Sequence, residues 1–127
     1  MTKIIVVGHG RYASSVKDFL EIITGSVEGF YFVDFYKDDS STSLREKLDK
    51  AVEEIKDNDI LFICDLRGGS PFNESVKIAF EKSNMEVIAG ANLAAISEIG
   101  FNLEKSAKEL VDKLLNDTKE SVKKLER

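Results

Sequence analysis

The only histidine of the chain, His9, lies between two glycines at the end of the apolar run 4–7. A strand that ends at Gly-His-Gly places an imidazole on a tight turn, where another molecule can come close. Histidine changes its charge near neutral pH, and its free ring nitrogen is a competent nucleophile. His9 is therefore the first candidate for a catalytic residue. The alternative is a loop histidine that has no catalytic role.

A carboxylate in a second loop could orient this imidazole. Asp65 directly follows another apolar run, 60–64. A carboxylate beside an imidazole can accept a hydrogen bond from one ring N–H, which fixes the tautomer and leaves the other nitrogen free. It also stabilises the positive charge that develops when the ring reacts. We predict this role for Asp65, rather than only the capping of the turn that follows it.

A glycine-rich turn, Gly68-Gly69-Ser70-Pro71, comes next and is suited to an anion. It predicts a helix with Ser70 as its N-cap and Pro71 as its first residue. The free N–H groups and the positive dipole end of a helix start favour phosphate, so we predict that Gly69 and Ser70 bind it. With a nucleophilic histidine, an orienting carboxylate and no obvious base to activate water, the pattern indicates transient phosphorylation of His9.

Three further polar residues flank these loops. Arg11 and Arg67 could pair with phosphate or with an acidic group on a partner, and surface solubility is the alternative. Asn73 closes the second loop, and we assign it with the two arginines to partner binding.

Composition limits the class of protein. The 127 residues fit one domain, 1–127, and the net charge of −5 argues against nucleic-acid binding, which needs a basic face. No basic leader and no apolar run of membrane-spanning length is evident, so we expect a cytoplasmic protein. A single cysteine, Cys64, excludes an internal disulfide, and with one histidine it makes no credible zinc site. We expect Cys64 to be buried in a strand, and we predict neither a metal nor a cofactor.

Apolar runs alternate with amphipathic segments along the chain. The predicted strands are 3–8, 29–35, 59–64 and 85–89, and the predicted helices are 12–24, a helix that starts within 40–43, 71–83, a short helix from the Asn92 cap to 99, and 103–115. Such a pattern is typical of an α/β, doubly wound fold with a mainly parallel sheet and helices on both faces. The usual strand order, 2-1-3-4, makes strands 1 and 3 neighbours at the topological switch point, where His9 and Asp65 would meet.

Some details of this prediction are local. Ser43 and Glu46 are predicted to form a capping box. Ile23 and Phe80 are predicted to face the core from their helices. The tail beyond 115 is compatible with a longer helix or with a short edge strand over 121–125.

The chain resembles the IIA component of the mannose-type sugar phosphotransferase system, the mannose/fructose/sorbose/N-acetylgalactosamine family. The resemblance covers essentially the whole chain and depends on residues at four strand ends. These are Val7-Gly8-His9-Gly10, Asp34-Phe35, Asp65-x-x-Gly68-Gly69-Ser70-Pro71-Phe72-Asn73 and Val87-Ile88-Ala89-Gly90-Ala91-Asn92-Leu93. Arg67 and Ala94 depart from the common pattern of the family.

The resemblance implies a function and partners. His9 would take a phosphoryl group on Nε2 from the histidine phosphocarrier protein, with Asp65 holding Nδ1 and Ser70 contacting the phosphoryl group. It would pass the group to a IIB component on a separate chain, which phosphorylates sugar entering through the membrane IIC and IID subunits. It further implies a homodimer in which an antiparallel edge strand near the C-terminus, here 121–125, is exchanged between subunits.

Three other functions remain open from the sequence. The phosphocarrier subunit of a phosphotransferase-dependent dihydroxyacetone kinase has the same fold and a histidine after its first strand, although the intact 68–73 motif favours the sugar system. A signalling receiver phosphorylated on Asp65 would need an acidic pair where this chain has Gly8-His9-Gly10. A histidine phosphatase or mutase would need further arginines and a second histidine.

Overall fold

The computed structural model describes residues 1–127 and contains four strands and five helices. Their order is β1 (Thr2–His9), α1 (Tyr12–Ile23), β2 (Phe30–Phe35), α2 (Ser41–Ile55), β3 (Asp59–Cys64), α3 (Gly69–Ala79), β4 (Met85–Ala89), α4 (Leu93–Ile99) and α5 (Ala107–Ser121).

The four strands form one parallel sheet in the order β2-β1-β3-β4, which confirms the predicted doubly wound fold. The central strands β1 and β3 are apolar over almost their whole length because helices cover both faces. In the register of the sheet, Val7 of β1 pairs with Cys64 of β3. The residues that follow these two positions therefore reach the same sheet edge, and they include His9 and Asp65.

Helices divide between the two faces of the sheet. On one face, α1, α4 and α5 cover alternate residues of β1 and β3, and the core there includes Leu20, Ile96 and Leu110. On the other face, α2 and α3 cover the remaining residues, and the core includes Leu48 and Phe62. Because α2 follows β2 and α3 follows β3, the two helices begin on either side of the end of β1, where His9 lies.

Several local predictions were wrong. The N-cap of α2 is Ser40, which forms the capping box with Ser43, so Ser43 is the partner of the cap and Glu46 takes no part. In α3 the buried face is centred on Ser75, Ile78 and Ala79, because the helix starts at Gly69 and ends before Phe80, which is 82% exposed.

The ends of two other helices also differ from the prediction. Ile23 is more than half exposed, because it lies in the last turn of α1 and the buried positions are Ala13, Val16 and Leu20. The last helix starts only at Ala107, where Ser106 and Glu109 form its capping box. It continues to Ser121, so this part of the tail is helical, and residues 122–127 follow it outside regular structure.

Candidate active site

His9 and Asp65 form a two-point contact at the carboxyl edge of the sheet. Asp65 Oδ2 accepts the backbone N–H of His9 at 2.9 Å and lies 2.8 Å from Nδ1 of the same residue. Asp65 Oδ1 accepts the backbone N–H of Leu66 at 2.9 Å. Because an ionised carboxylate only accepts hydrogen bonds, Nδ1 carries the proton in the neutral ring and Nε2 keeps its lone pair. The imidazole is 44% exposed, whereas the carboxylate is only 13% exposed.

Gly8 makes room for this pair. A side chain at position 8 would come within 2.8 Å of the Asp65 carboxyl carbon and 2.4 Å of the Tyr12 ring. The Tyr12 ring thus packs close to the Asp65 carboxylate, and burial, with the charge of that carboxylate, raises the pKa of Tyr12 to about 12. Tyr12 remains neutral at physiological pH and shields one side of the carboxylate.

The first turn of α3 lies against the free nitrogen of His9. A Cβ added to Gly69 would be 3.1 Å from His9 Cε1 and 3.4 Å from Nε2. Gly68 and Gly69 have φ values of +87° and +79°, a backbone region that side chains rarely adopt. The N–H groups of Gly69 and Ser70 have no acceptor inside the helix that they start, so they remain donors near Nε2.

Ser70 is not the N-cap that its sequence context predicts. The N-cap is Gly68, and Pro71 is the third helical residue, so Ser70 lies inside the first turn. The Ser70 hydroxyl instead lies 3.0 Å from the hydroxyl of Ser41, the first residue of α2.

Asp34, near the end of β2, holds the start of α1 beside the site, a role that the sequence motifs did not predict. It accepts the backbone N–H of Ser14 at 3.0 Å and the Ser14 hydroxyl, so it caps α1 from a neighbouring strand. The N-cap residue of α1, Arg11, makes no side-chain capping hydrogen bond. A helix start without a capping side chain of its own, and a strand with an aspartate one residue before its end, are the signals that could have revealed this contact.

We expect Asp34→Ala to lower the free energy of unfolding by about 1 kcal/mol, because α1 loses its cap. Burial opposes ionisation of Asp34, but hydrogen bonds from Ser14 and Tyr36 and the nearby charge of Arg11 outweigh it and lower its pKa. The stabilisation is therefore complete above the ordinary value of 3.8 and is lost as the pH falls through the lowered pKa. Urea unfolding at several pH values measures both effects. Asp38→Ala, at an exposed position nearby, is the control, and an equal loss in both variants would contradict the capping role.

The residues predicted to bind partners all lie at the exposed rim of this edge. Arg11 and Arg67 are exposed in the loops that follow β1 and β3, and Asn73 is exposed on α3, one turn after Gly69. Leu66 is also exposed there. The rim therefore combines cationic and apolar side chains around His9, a composition suited to protein contact.

Other groups lie apart from this chemistry. Cys64 is fully buried, as predicted, and burial raises its thiol pKa to about 12, so it is no nucleophile at neutral pH.

A cavity of about 320 Å³, lined in part by Leu20, Phe30 and Leu103, lies at the opposite edge of the sheet. No three His, Cys, Asp or Glu side chains come close enough together to bind a metal ion. None of the helices has the length and apolar character needed to cross a membrane.

Fold and site together define an open, doubly wound α/β protein with a histidine-centred site at its topological switch point. The family model described as the PTS system fructose IIA component, where PTS is the phosphotransferase system, matches residues 3–115. The chain belongs to this family, the mannose-type EIIA components, and is therefore a phosphotransferase component of sugar transport.

Individual relatives agree with this assignment. The sorbose-specific EIIA component of Lacticaseibacillus casei is 34% identical over 114 residues, which cover 89% of this chain and 83% of that protein. The mannose-specific EIIAB component of Escherichia coli K12 is 33% identical over 98% of this chain, which corresponds to 40% of that longer protein. The solved mannose/sorbose-specific IIA subunit of Enterococcus faecalis superimposes with a TM-score of 0.91 at 25% identity, over 99% of this chain and 96% of that chain.

Proposed function

We propose that this protein is a single-domain, cytoplasmic phosphoryl carrier for sugar uptake and that Nε2 of His9 is the atom that carries the phosphoryl group. The donor is the histidine phosphocarrier protein, and the recipient is a IIB component. Through IIB the group reaches a sugar that enters by the membrane IIC and IID subunits. Family membership supports this role, and the names of the relatives suggest a sugar of the mannose, fructose and sorbose class.

One observation carries the assignment to His9. Asp65 occupies Nδ1 at 2.8 Å, so the nucleophilic lone pair is on Nε2, and the Gly69 backbone at the start of α3 lies close to this nitrogen. In the transfer, the Nε2 lone pair forms the new P–N bond while the P–N bond of the donor breaks and its electron pair returns to the donor imidazole. The Nδ1 proton stays on the nitrogen that Asp65 holds, and the same carboxylate stabilises the positive charge of the ring.

The site has no free base that could activate a water molecule to attack the phosphoryl group, which supports the role of a carrier rather than that of a phosphatase. The carboxylate nearest His9, that of Asp65, already accepts from Nδ1 and from two backbone N–H groups. The test is to incubate the protein with phosphoenolpyruvate, enzyme I and the phosphocarrier protein and to measure the intact mass. One acid-labile phosphoryl group is expected, and an unmodified protein would overturn the proposal.

Gly69→Ala should slow phosphorylation of His9 by about tenfold, because the added methyl group would occupy space 3.4 Å from Nε2. Rapid-quench measurement of phosphoryl uptake tests this expectation. Gly25→Ala is the matched control, since Gly25 has a similar φ of +76° and open space around it. Equal uptake rates in the two variants would contradict the expected effect of crowding at Nε2.

We also propose that residues 122–125, the part of the predicted edge strand 121–125 that lies beyond α5, form an edge strand exchanged between the subunits of a homodimer. Two observations support this proposal: Val122 and Leu125 are exposed apolar residues in a segment outside regular structure, and β4 is an edge strand of the sheet. The helical end of α5 is a separate part of the fold, because Ser121 accepts a hydrogen bond from the Asn92 side chain at 2.7 Å.

Deletion of residues 122–127 is therefore expected to weaken the dimer by at least about tenfold in dissociation constant, because the exchanged strand is lost. Sedimentation equilibrium measures the constant. Replacing Val122 and Leu125 with serine keeps the length of the chain and should weaken the dimer in the same direction. A truncated protein that dimerises like the full chain would contradict the exchange.

A further inference from the structure

The hydroxyl groups of Ser41 and Ser70 form a bridge between the first turns of α2 and α3. Their oxygens are 3.0 Å apart, although the residues are 29 positions apart in the chain. Each hydroxyl has the other as its one partner within the protein. The strand order β2-β1-β3 puts the starts of α2 and α3 on either side of the end of β1. Ser70 directly follows Gly69, whose backbone lies against the His9 ring, so the bridge is close to the imidazole.

Ser41 has no part in holding its own helix. The Ser40 hydroxyl accepts the Ser43 backbone N–H at 3.1 Å, and the Ser43 hydroxyl accepts the Ser40 backbone N–H at 2.8 Å. Asp39 adds a hydrogen bond from the Ser43 hydroxyl at 2.9 Å, so the start of α2 is firmly held without Ser41. The Ser41 side chain is consequently presented from a fixed backbone and is free to serve Ser70.

We propose that Ser41 is a positioning residue for phosphoryl transfer, acting through Ser70; this inference rests on the proposed function of His9. A hydroxyl has one proton to donate and can accept as well. When a phosphoryl group is on Nε2, Ser70 donates that proton to a phosphoryl oxygen and accepts a hydrogen bond from Ser41. The donation by Ser41 aligns the Ser70 hydroxyl and strengthens it as a donor.

A phosphoryl group bound to Ser70 would fix which serine donates the Ser41–Ser70 hydrogen bond. Without phosphate, either hydroxyl can be the donor. Once Ser70 donates its only proton to a phosphoryl oxygen, the hydrogen bond between the two serines can run only from Ser41 to Ser70. The bridge therefore gives the Ser70 hydroxyl one orientation, and it connects α2 to the site around His9.

The test is the rate of phosphoryl uptake from the phosphocarrier protein, measured by rapid quench on the full chain. Ser41→Ala should lower the rate about fivefold, and Ser41→Thr, which keeps a hydroxyl, should restore most of it. Thr42→Ala is the matched control, because Thr42 is the next residue in the same turn, is exposed and makes no side-chain hydrogen bond. Thermal unfolding confirms that each variant is folded.

A double substitution separates positioning from a direct contact. In a Ser70→Ala background, the further change Ser41→Ala should have no effect, because the group through which Ser41 acts is gone. An unchanged rate in Ser41→Ala, or an effect of equal size in both backgrounds, would overturn the inference while leaving the phosphorylation of His9 intact. Failure of the wild-type protein to take up a phosphoryl group would overturn both.

Discussion

His9→Ala is expected to abolish phosphoryl uptake completely while leaving the fold in place. His9 is the only histidine of the chain, so no second imidazole can take over the group. Its ring is 44% exposed and lies at the edge of the sheet, where it contacts the Asp65 carboxylate, the start of α3 and the edge of the Phe35 ring at 5.7 Å between ring centres. Removal of the ring therefore deletes the nucleophile and opens no cavity in the core.

Intact mass after incubation with phosphoenolpyruvate, enzyme I and the phosphocarrier protein measures this loss. Thermal unfolding of His9→Ala and His9→Gln should both remain close to wild type, and neither should gain mass. In the wild-type protein, ³¹P NMR should report phosphate on Nε2 rather than Nδ1, because Asp65 holds Nδ1. An acid-labile phosphoryl group on either variant would contradict the assignment.

Asp65→Asn is expected to slow phosphoryl uptake by about 100-fold. If the amide oxygen of asparagine takes the place of Oδ2, the NH₂ group meets the backbone N–H of Leu66, which is also a donor. If the amide adopts the flipped orientation, its NH₂ group lies opposite the backbone N–H of His9, which is also a donor, and Nδ1 can then only accept a hydrogen bond from it. The proton then resides on Nε2, where it blocks the nucleophile. In both orientations the negative charge that stabilises the phosphorylated ring is lost.

Rapid-quench kinetics at saturating phosphocarrier protein measures the effect, with Asp112→Asn as a control for the loss of one exposed carboxylate. Sedimentation should give the same dimerisation constant for Asp65→Asn as for wild type, since Asp65 lies at the strand edge and the proposed exchange involves the tail. A wild-type rate of uptake in Asp65→Asn would remove this carboxylate from the mechanism.

The central part of the site could be predicted from the sequence because it depends on strand ends. Apolar runs identify β1 and β3, the doubly wound order makes them neighbours, and the residues after them, His9 and Asp65, must then meet at one edge. The structure adds that one oxygen of Asp65 contacts both the backbone and the ring of His9. Because Val7 pairs with Cys64, His9 lies one residue beyond the level of Asp65, within reach of its side chain.

The remaining parts of the site depend on geometry that residue patterns do not encode. The rule that serine before proline caps a helix failed at Ser70, because Gly68 is the N-cap and α3 starts at Gly69. The cap of α1 comes from Asp34 on another strand, and the partner of Ser70 is Ser41 on another helix. The missing cap of α1 indicates that some partner is needed there, but which residues pair across distant elements becomes visible only once the packing of the helices is known.

The double contact of Asp65 Oδ2 has a kinetic consequence. Because the same oxygen holds the backbone and the ring of His9, the imidazole has little freedom to turn, and its reactive nitrogen faces one direction. Under the proposed function, the protein that delivers the phosphoryl group and the protein that collects it must then occupy the same space in turn. Transfer should therefore follow ping-pong kinetics, and each protein in its unphosphorylated form should act as a competitive inhibitor of the other.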